Sequence, residues 1–192
     1  RSFVSNRIGE KIVGENVSLW DDAYEPAGSP TAFDGEGVPK RKLMLIEEGV
    51  ARNVAYDSLY AARAGVETTG HALGRGVNNP LPTNLVMPAG DASMEDLIAG
   101  VDRGLLVSRF HYTNVAEPNR AVLTGMTRDG TFLIENGKVT RAVKNLRYTQ
   151  SMLEAFGRVT GIGRERVCLP GMGNPLAPAL RIEGFRFTGR TG

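Results

Sequence analysis

The sequence predicts an α+β fold with a large, mainly antiparallel β-sheet, about three short helices and long loops rich in glycine and proline. The main evidence is the segment 121–143, where three apolar and β-branched runs are separated by Asp129-Gly130 and Asn136-Gly137. Both dipeptides favour the positive φ angles of a two-residue hairpin turn. We therefore predict a three-stranded antiparallel meander over 121–143.

A shorter version of the same pattern lies earlier in the chain. The segment Leu45-Ile46-Glu47-Glu48-Gly49 is close in sequence to Leu133-Ile134-Glu135-Asn136-Gly137. Each combines an apolar strand, a glutamate and a turn that ends in glycine. The earlier segment therefore predicts a first hairpin.

Before this hairpin, residues 10–19 predict a strand that runs into the acidic pair Asp21-Asp22. The segment from there to Lys40 contains three prolines and three glycines, which predicts a long loop. Loops of that length inside a compact domain tend to be functional or mobile.

Three helices are expected after the first hairpin. Asp57-Ser58 can cap a short helix that runs to Arg63 and ends at Gly65. The clearest helical pattern covers 91–104, where Ser93 and the acidic residue three positions later resemble a capping box and Gly104 follows the last turn. A third helix is expected over about 149–159.

The other segments predict strands and irregular loops. Residues 68–82 predict a second irregular loop, and 159–178 are again interrupted by glycine and proline. Strands are expected at 83–87 and 105–110, and a final strand pair or bent strand at 180–188. The expected total is roughly ten strands.

Composition places the chain among ordinary globular proteins. Its 192 residues are 41% hydrophobic and 23% charged, with a net charge of +2. No apolar run approaches the length of a membrane span and no signal peptide opens the chain. The single cysteine fits a reducing compartment, so we expect a cytoplasmic protein. Because the chain begins at Arg1 within an apparent strand, we expect it to be the C-terminal piece of a longer protein whose N-terminal domain is absent.

Charge is distributed unevenly between the two halves. Residues 1–96 carry 9 Lys/Arg against 14 Asp/Glu, and residues 97–192 carry 14 against 7. Arg109, Tyr112, Arg147 and Tyr148 also interleave bases with aromatic rings, as a surface for single-stranded nucleic acid would. Solvated strand arginines explain the pattern more simply, so nucleic acid is not the expected partner.

Residue types that could support metal or nucleophile chemistry are few. A zinc hydrolase needs three protein ligands and an open position for water. The chain has two histidines, His71 and His111, in separate loops, and no His-Glu-x-x-His helix. Cys168 is the only conceivable further ligand, and a lone cysteine is more often a small buried side chain than a nucleophile. We therefore assign no catalytic residue and no metal ligand.

Several motifs, in order, resemble the C-terminal domain of the TldD/PmbA family. They are Asp21-Asp22, Phe33-Asp34-Gly35-Glu36-Gly37, Pro82-Thr83-Asn84-Leu85, Thr124-Gly125 and the two Leu-Ile-Glu-x-Gly hairpins. Each motif is weak alone, but their shared order and spacing cover nearly the whole chain.

The resemblance implies a subunit of a TldD–TldE metallopeptidase that cuts unfolded or modified peptides, in a family also linked to modulation of DNA gyrase. The TldD type binds zinc through a His-Glu-x-x-x-His helix and a later cysteine, and that helix motif is absent from this sequence. The run from Thr124 to Phe132, with Arg109-Phe110-His111-Tyr112 upstream, is more similar to the TldE (PmbA) type. The resemblance therefore implies no cofactor in this chain and zinc in a TldD-like partner subunit, with a homodimer as the other possible assembly.

Within this interpretation, the domain shapes a peptide chamber. The candidate peptide-binding residues are His71, Asn84, Arg109, His111 and Thr127. Two alternatives remain open: a zinc-bearing TldD-type peptidase whose ligand helix lies outside this sequence, with Cys168 as a ligand, and a gyrase-associated or nucleic-acid-binding module.

Overall fold

Two β-sheets, a short β-ribbon and three α-helices make up the part of the chain that the computed structural model describes, residues 3–4, 6–74, 76–169 and 174–190. The strands pair mainly antiparallel, which confirms the predicted α+β class. Over these ranges, the structure contains no helix with the length and apolar character needed to cross a membrane.

The elements follow one another in chain order. The strands are β1 (Leu19–Asp21), β2 (Leu43–Glu47), β3 (Val50–Ala51), β4 (Ala72–Gly74), β5 (Val77–Pro80), β6 (Leu85–Val86), β7 (Arg103–Glu117), β8 (Val122–Glu135), β9 (Lys138–Ala142), β10 (Leu146–Ser151), β11 (Val159–Cys168), β12 (Leu176–Ile182) and β13 (Phe187–Arg190). The helices are α1 (Ser58–Ala64), α2 (Met94–Ala99) and α3 (Met152–Phe156).

The first sheet has the order β11-β12-β6-β1-β2-β3 and carries the main hydrophobic core. Its one parallel pair joins β12 to β6. Leu153 and Phe156 of α3 pack against this core. The buried core residues are Val4, Ile12, Val13, Val17, Ile46, Ala51, Met87 and Val159.

The second sheet has the order β13-β10-β8-β7, and β9 also pairs with β8. The long strand β8 pairs with β7 along one edge and with β10 and β9 along the other. Among the described residues, β7 pairs only with β8, so it is the outermost strand. The rings of Phe110, Tyr148 and Phe185 pack together on one face, with centroids 4.6 Å apart for the first two and 5.4 Å for Phe110 and Phe185.

The predicted meander is wrong at its first turn. Asp129 and Gly130 have φ angles of 62° and 137°, but they form a bulge within the continuous strand β8. The register there shifts between Val107 and Arg109 of β7, so both bulged residues lie opposite Ser108. The actual β7–β8 connection is a 3-10 turn, Pro118–Arg120. An Asp-Gly pair can adopt positive φ angles both in a hairpin turn and in a β-bulge. The sequence alone therefore did not show which of these structures Asp129-Gly130 forms.

The other two predicted turns are confirmed. Asn136-Gly137, with φ of 49° and 72°, connects β8 to β9. Glu48-Gly49, with φ of 47° and 79°, connects β2 to β3. The repeated Leu-Ile-Glu-x-Gly pattern therefore marks two real hairpins, one in each sheet.

Helix ends are only partly as predicted. The first helix begins at its Asp57 cap and ends at Gly65, which has φ of 67°. The capping box of α2 is also present, because Ser93 Oγ accepts from the Asp96 amide at 3.0 Å and the Asp96 carboxylate accepts from the Ser93 amide at 2.9 Å. However, α2 ends at Gly100, and Gly104 lies in β7.

Several other predicted bounds of strands, loops and the third helix are wrong. They lie in segments where short strands alternate with turns. Residues 10–18 are mostly irregular, with an isolated bridge between Lys11 and Val50, and the first strand is only Leu19–Asp21. Residues 72–80 form the β4–β5 ribbon rather than a plain loop. The third helix is shorter than predicted because 146–151 is a strand, and 159–168 is also a strand rather than a broken segment.

Ser93→Ala should lower the free energy of unfolding by about 1 kcal/mol, because it removes the side-chain acceptor at the start of α2. Urea unfolding followed by circular dichroism measures this change. Met94→Ala, at the neighbouring position with a 47% exposed side chain, is the control and should change stability by less than about 0.5 kcal/mol. Equal effects of the two variants would contradict the role of the cap.

Candidate functional site

A buried carboxylate lies where the first sheet meets the long loop. Asp21 is the last residue of β1, and its side chain is 0% exposed. Antiparallel pairing places Asp21 opposite Leu85 of β6, which brings the preceding residue, Asn84, alongside. The backbone amide of Asn84 donates to Asp21 Oδ2 at 2.6 Å. The start of β6 therefore supplies the first partner of this carboxylate.

Lys40 reaches the same carboxylate from the end of the long loop. Its side chain is buried, and Nζ lies 3.4 Å from Asp21 Oδ1. The ammonium group also donates to Asn84 Oδ1 at 2.5 Å and to Thr83 Oγ1 at 3.0 Å. A buried lysine needs such partners, because burying an unpaired charge is costly.

His71 completes this arrangement from just before β4. Its Nε2 lies 3.1 Å from Asp21 Oδ1, although the alignment falls short of a good hydrogen bond. The other ring nitrogen, Nδ1, lies 2.8 Å from the carbonyl oxygen of Thr69 and 3.0 Å from its hydroxyl. Both nitrogens of the buried imidazole thus face polar groups of the chain. We call Asp21, Lys40, His71 and Asn84 the Asp21 cluster.

Gly70 allows the His71 loop to approach Lys40. It has φ of 71°, and a Cβ at this position would lie 2.6 Å from the carbonyl oxygen of Pro39. Asp34 makes a second connection between the same two loops. Its Oδ2 accepts from the Ala72 amide at 2.9 Å, and its Oδ1 accepts from the amides of Glu36 and Val38.

Electrostatics in the cluster favour ionised Asp21. Burial alone would raise the pKa of this carboxyl. Contacts with His71, the Asn84 amide and the Lys40 ammonium outweigh burial and hold the pKa of Asp21 below its ordinary value of 3.8. Because the side chains of Asp21 and His71 are closed to solvent, the cluster acts as a polar connection between loops and offers no reacting group to a substrate.

Three of the five predicted peptide-binding residues lie elsewhere, on the second sheet. Arg109 is half-exposed and forms an ion pair with Asp129. His111 is partly buried, and its Nε2 accepts from Arg128 Nη1 at 2.9 Å. Thr127 lies on the opposite face and is fully buried. The five residues therefore fall into two groups, with His71 and Asn84 in the buried cluster.

The side chains that the sequence offered as metal ligands do not fit a zinc site. Both nitrogens of His71 face protein groups, His111 Nε2 is occupied by Arg128, and exposed Cys168 lies near the carbonyl oxygen of Asn174 at 3.4 Å. Over the described ranges, no three His, Cys, Asp or Glu side chains are grouped so that they could hold a metal ion. No reaction step through a metal follows from these residues.

Asp21, Lys40 and Arg128 were missed as site residues from the sequence, and Asp21 appeared only in the Asp21-Asp22 motif. Lys40 marked only the end of a loop, and Arg128 was part of a predicted strand end. A lysine in the basic run 40–42 before an apolar strand carries no signal of burial, because lysines are rarely buried. Arg128 could have been found from the strand register, but the bulge beside it was predicted as a turn.

Comparisons with known proteins agree on one family. The family model described as the PmbA/TldA metallopeptidase C-terminal domain matches residues 1–189. Metalloprotease TldD homologs from Buchnera aphidicola subsp. Acyrthosiphon pisum and Haemophilus influenzae are 29% and 28% identical over 176 and 200 residues, which cover 90% and 95% of this chain but 36% and 40% of the relatives. The crystal structure of TldE from Thermococcus kodakarensis matches with a TM-score of 0.84 and 28% identity, over 97% of this chain and 42% of that chain. This chain thus spans about two fifths of these relatives' length.

Loss of Asp21 should change both stability and its acid dependence. The pKa of Asp21 is lower in the folded state, so the unfolded chain binds more protons in acid, and stability falls as pH drops from about 5 through the folded-state pKa. Asp21→Asn leaves Lys40 buried without its carboxylate and should cost about 3–5 kcal/mol at neutral pH. The variant should also lose less stability than the unmodified protein as pH falls. The loss of stability that remains comes from other carboxylates such as Asp96, whose pKa is lowered by its hydrogen bonds with Ser93.

Denaturant unfolding from pH 7 to pH 3 measures both effects. Asp22→Asn is the matched control, because asparagine keeps the acceptor for the Tyr24 backbone amide and loses only the 3.7 Å pair with Lys42, whose exposed ammonium makes the pair worth less than about 1 kcal/mol. An unchanged pH dependence in Asp21→Asn would contradict the assigned role of the buried carboxylate.

Substitution of Gly70 tests the close approach of the two loops. Gly70→Ala should lower the free energy of unfolding by about 2–4 kcal/mol, because a left-handed φ and a steric clash both act against alanine. Gly76→Ala provides the control, since φ there is 80° and, apart from its chain neighbours, no described residue has an atom within 4 Å of the added Cβ. This variant should lose only about 1 kcal/mol. Equal losses in chemical unfolding would mean that the clash does not matter.

Proposed function

Because the chain belongs to the PmbA/TldA metallopeptidase C-terminal domain family, we propose that it is the C-terminal domain of a TldD/TldE-type peptidase subunit. In this proposal it is the TldE-like half, which shapes a chamber for unfolded or modified peptides. A TldD-like subunit supplies the zinc and the water that cleave them. The single cysteine of the chain favours the reducing cytoplasm as its location.

The observation that carries this proposal is the arrangement of the conceivable metal ligands. His71 is buried with both nitrogens facing other groups, His111 accepts a hydrogen bond from Arg128 on the second sheet, and Cys168 lies at the end of β11. A zinc peptidase needs three ligands that converge and leave a position open. The similarity to TldE from Thermococcus kodakarensis supports the same assignment.

Peptide binding is proposed for the second sheet. An extended peptide can add to the outer edge of β7, where main-chain hydrogen bonds supply affinity without specific chemistry. Half-exposed Arg109 projects beside this edge and is available for side-chain contacts, and His111 lies next to it with its Nε2 bonded to Arg128. His71, Asn84 and Thr127 are buried, so their proposed contribution is to hold the surrounding backbone in place.

A second candidate is the zinc-bearing half of the peptidase. The relatives named TldD homologs favour it, and the exposed thiol of Cys168 is accessible to a metal held by residues outside this sequence. The two candidates differ in whether Cys168 contributes to metal binding, so one variant separates them.

Metal analysis of a longer protein that contains this chain together with its flanking residues should find well below one zinc per chain after purification in the presence of zinc. Cys168→Ser should leave the metal content unchanged, because no group of potential ligands converges on the thiol among the residues that the structure describes. Inductively coupled plasma mass spectrometry measures the ratio of zinc to protein. Stoichiometric zinc that is lost in Cys168→Ser would contradict the proposal and favour the zinc-bearing candidate.

A further inference from the structure

Three arginines and a histidine share one face of the second sheet. In the β7–β8 register Arg109 lies opposite Arg128, and His111 lies opposite Met126. In the β8–β10 register Met126 lies opposite Arg147. Directly paired residues project from the same face, as do alternate residues along one strand. We call Arg109, His111, Arg128 and Arg147 the arginine face.

This face carries more positive charge than its acidic neighbour neutralises. Like charges directly opposite each other on neighbouring strands destabilise a sheet, yet Arg109 and Arg128 are so paired. Asp129 contacts both, with its carboxylate against Arg109 and 3.8 Å from Arg128 Nε. Arg147 has no ion pair within the part of the chain that the structure describes. One carboxylate therefore pairs with two of the three guanidinium groups on this face.

Asp129 itself indicates which ligand the arginines suit. Its carboxylate lies in the bulge of β8 and is 54% exposed, while the side chains of Arg109 and Arg128 are 49% and 51% exposed. Guanidinium groups bind carboxylates through charge-assisted, often bidentate hydrogen bonds. The contact that Asp129 makes shows that a carboxylate fits between the two arginines, and their exposure leaves donors free for another.

The rim of the face presents a strained aromatic residue. Tyr112 has φ of 53°, which is unusual for a bulky side chain, and its ring is 73% exposed. It lies in the irregular part of β7 between His111 and Asn114, where Asn114 Nδ2 donates to the Tyr112 carbonyl at 2.8 Å. The Tyr112 ring meets the His111 ring edge-on, with centroids 5.2 Å apart. Strain of this kind persists where the surrounding structure enforces it, often at binding sites.

The placement beside β7 favours a peptide over nucleic acid. An extended chain along the outer edge of β7 would run next to Arg109, with alternate side chains directed to the arginine face. Single-stranded nucleic acid instead needs several aromatic rings as stacking platforms. Phe110 lies on the opposite face, against Tyr148, and Tyr112 is the ring that borders the arginines.

We propose that the arginine face binds acidic peptide segments, whose carboxylates pair with Arg109, Arg128 and Arg147 while the backbone lies along β7. This inference rests on the proposed function and names its substrate class. It adds a charge preference to a chamber that otherwise recognises only extended backbone.

Fluorescence anisotropy with two labelled ten-residue peptides tests the proposal on the 192-residue chain. One peptide has glutamate at alternate positions, and the other has glutamine there. The glutamate peptide should bind about tenfold more tightly, since hydrogen bonds to charged groups are stronger than neutral ones. The double variant Arg109→Gln/Arg128→Gln should remove most of that preference.

Two further variants sharpen the result. Asp129→Asn should raise the affinity for the glutamate peptide severalfold, because it removes the competing carboxylate and asparagine tolerates the positive φ of this position. Arg52→Gln removes an exposed, ion-paired arginine that directly follows β3 of the first sheet and should change neither peptide's affinity. Thermal midpoints measured by circular dichroism verify that each variant is folded.

Three outcomes would overturn the inference: equal binding of the two peptides, an equal effect of Arg52→Gln, or tighter binding of a ten-residue oligo(dT) that depends on the same arginines. The experiment needs neither zinc nor a partner subunit. If the peptides bind equally, the acidic-peptide proposal fails but the zinc measurement still tests the proposed function. If zinc is found in the chain, the proposed function fails but the peptide-binding result still stands.

Discussion

The structure depends on the burial of one carboxylate. Asp21 is fully enclosed, so its ionised form persists only while Lys40, His71 and the Asn84 amide stay beside it. These partners lie in three separate loops of the chain between β1 and β6. Lys40 is in the loop before β2, His71 lies just before β4, and Asn84 lies just before β6. The cluster thus gives a defined position to long loops that hydrophobic packing alone would hold weakly. The close contact at Gly70 and the Asp34 connection follow from the same requirement.

Local chemistry was enough to predict those parts of the fold that depend on a few adjacent residues. The Asp57 and Gly65 ends of α1, the capping box of α2 and the hairpins at Glu48-Gly49 and Asn136-Gly137 all belong to this class. The bulge at Asp129 was not predictable in the same way. Its φ angles resemble those of a turn, and only pairing with β7 across the sheet shows that β8 continues through it.

The candidate site shows the same division between local and long-range information. His71 and Asn84 were identified as interesting polar residues, but their burial depends on Lys40 and Asp21, which lie far away in sequence. The arginine face could not be found without a register, because Arg109, Arg128 and Arg147 belong to three strands. The sequence alone showed only that basic and aromatic side chains lie near one another along the chain. The structure places Tyr148 with Phe110 on the face opposite Arg109, whereas Tyr112 borders the arginine face.

The two sheets thus suggest a division of tasks within the domain. The first sheet carries the core and the buried cluster, and the second presents an open strand and an excess of positive charge. This division suits a subunit that holds a peptide while another subunit cleaves it.

Peptide hydrolysis tests this division most directly. An unfolded peptide substrate should remain intact with this chain alone in the presence of zinc, and should be cleaved when a TldD-like subunit is added. Cleavage by this chain alone, abolished by a chelator and by Cys168→Ser, would contradict the account.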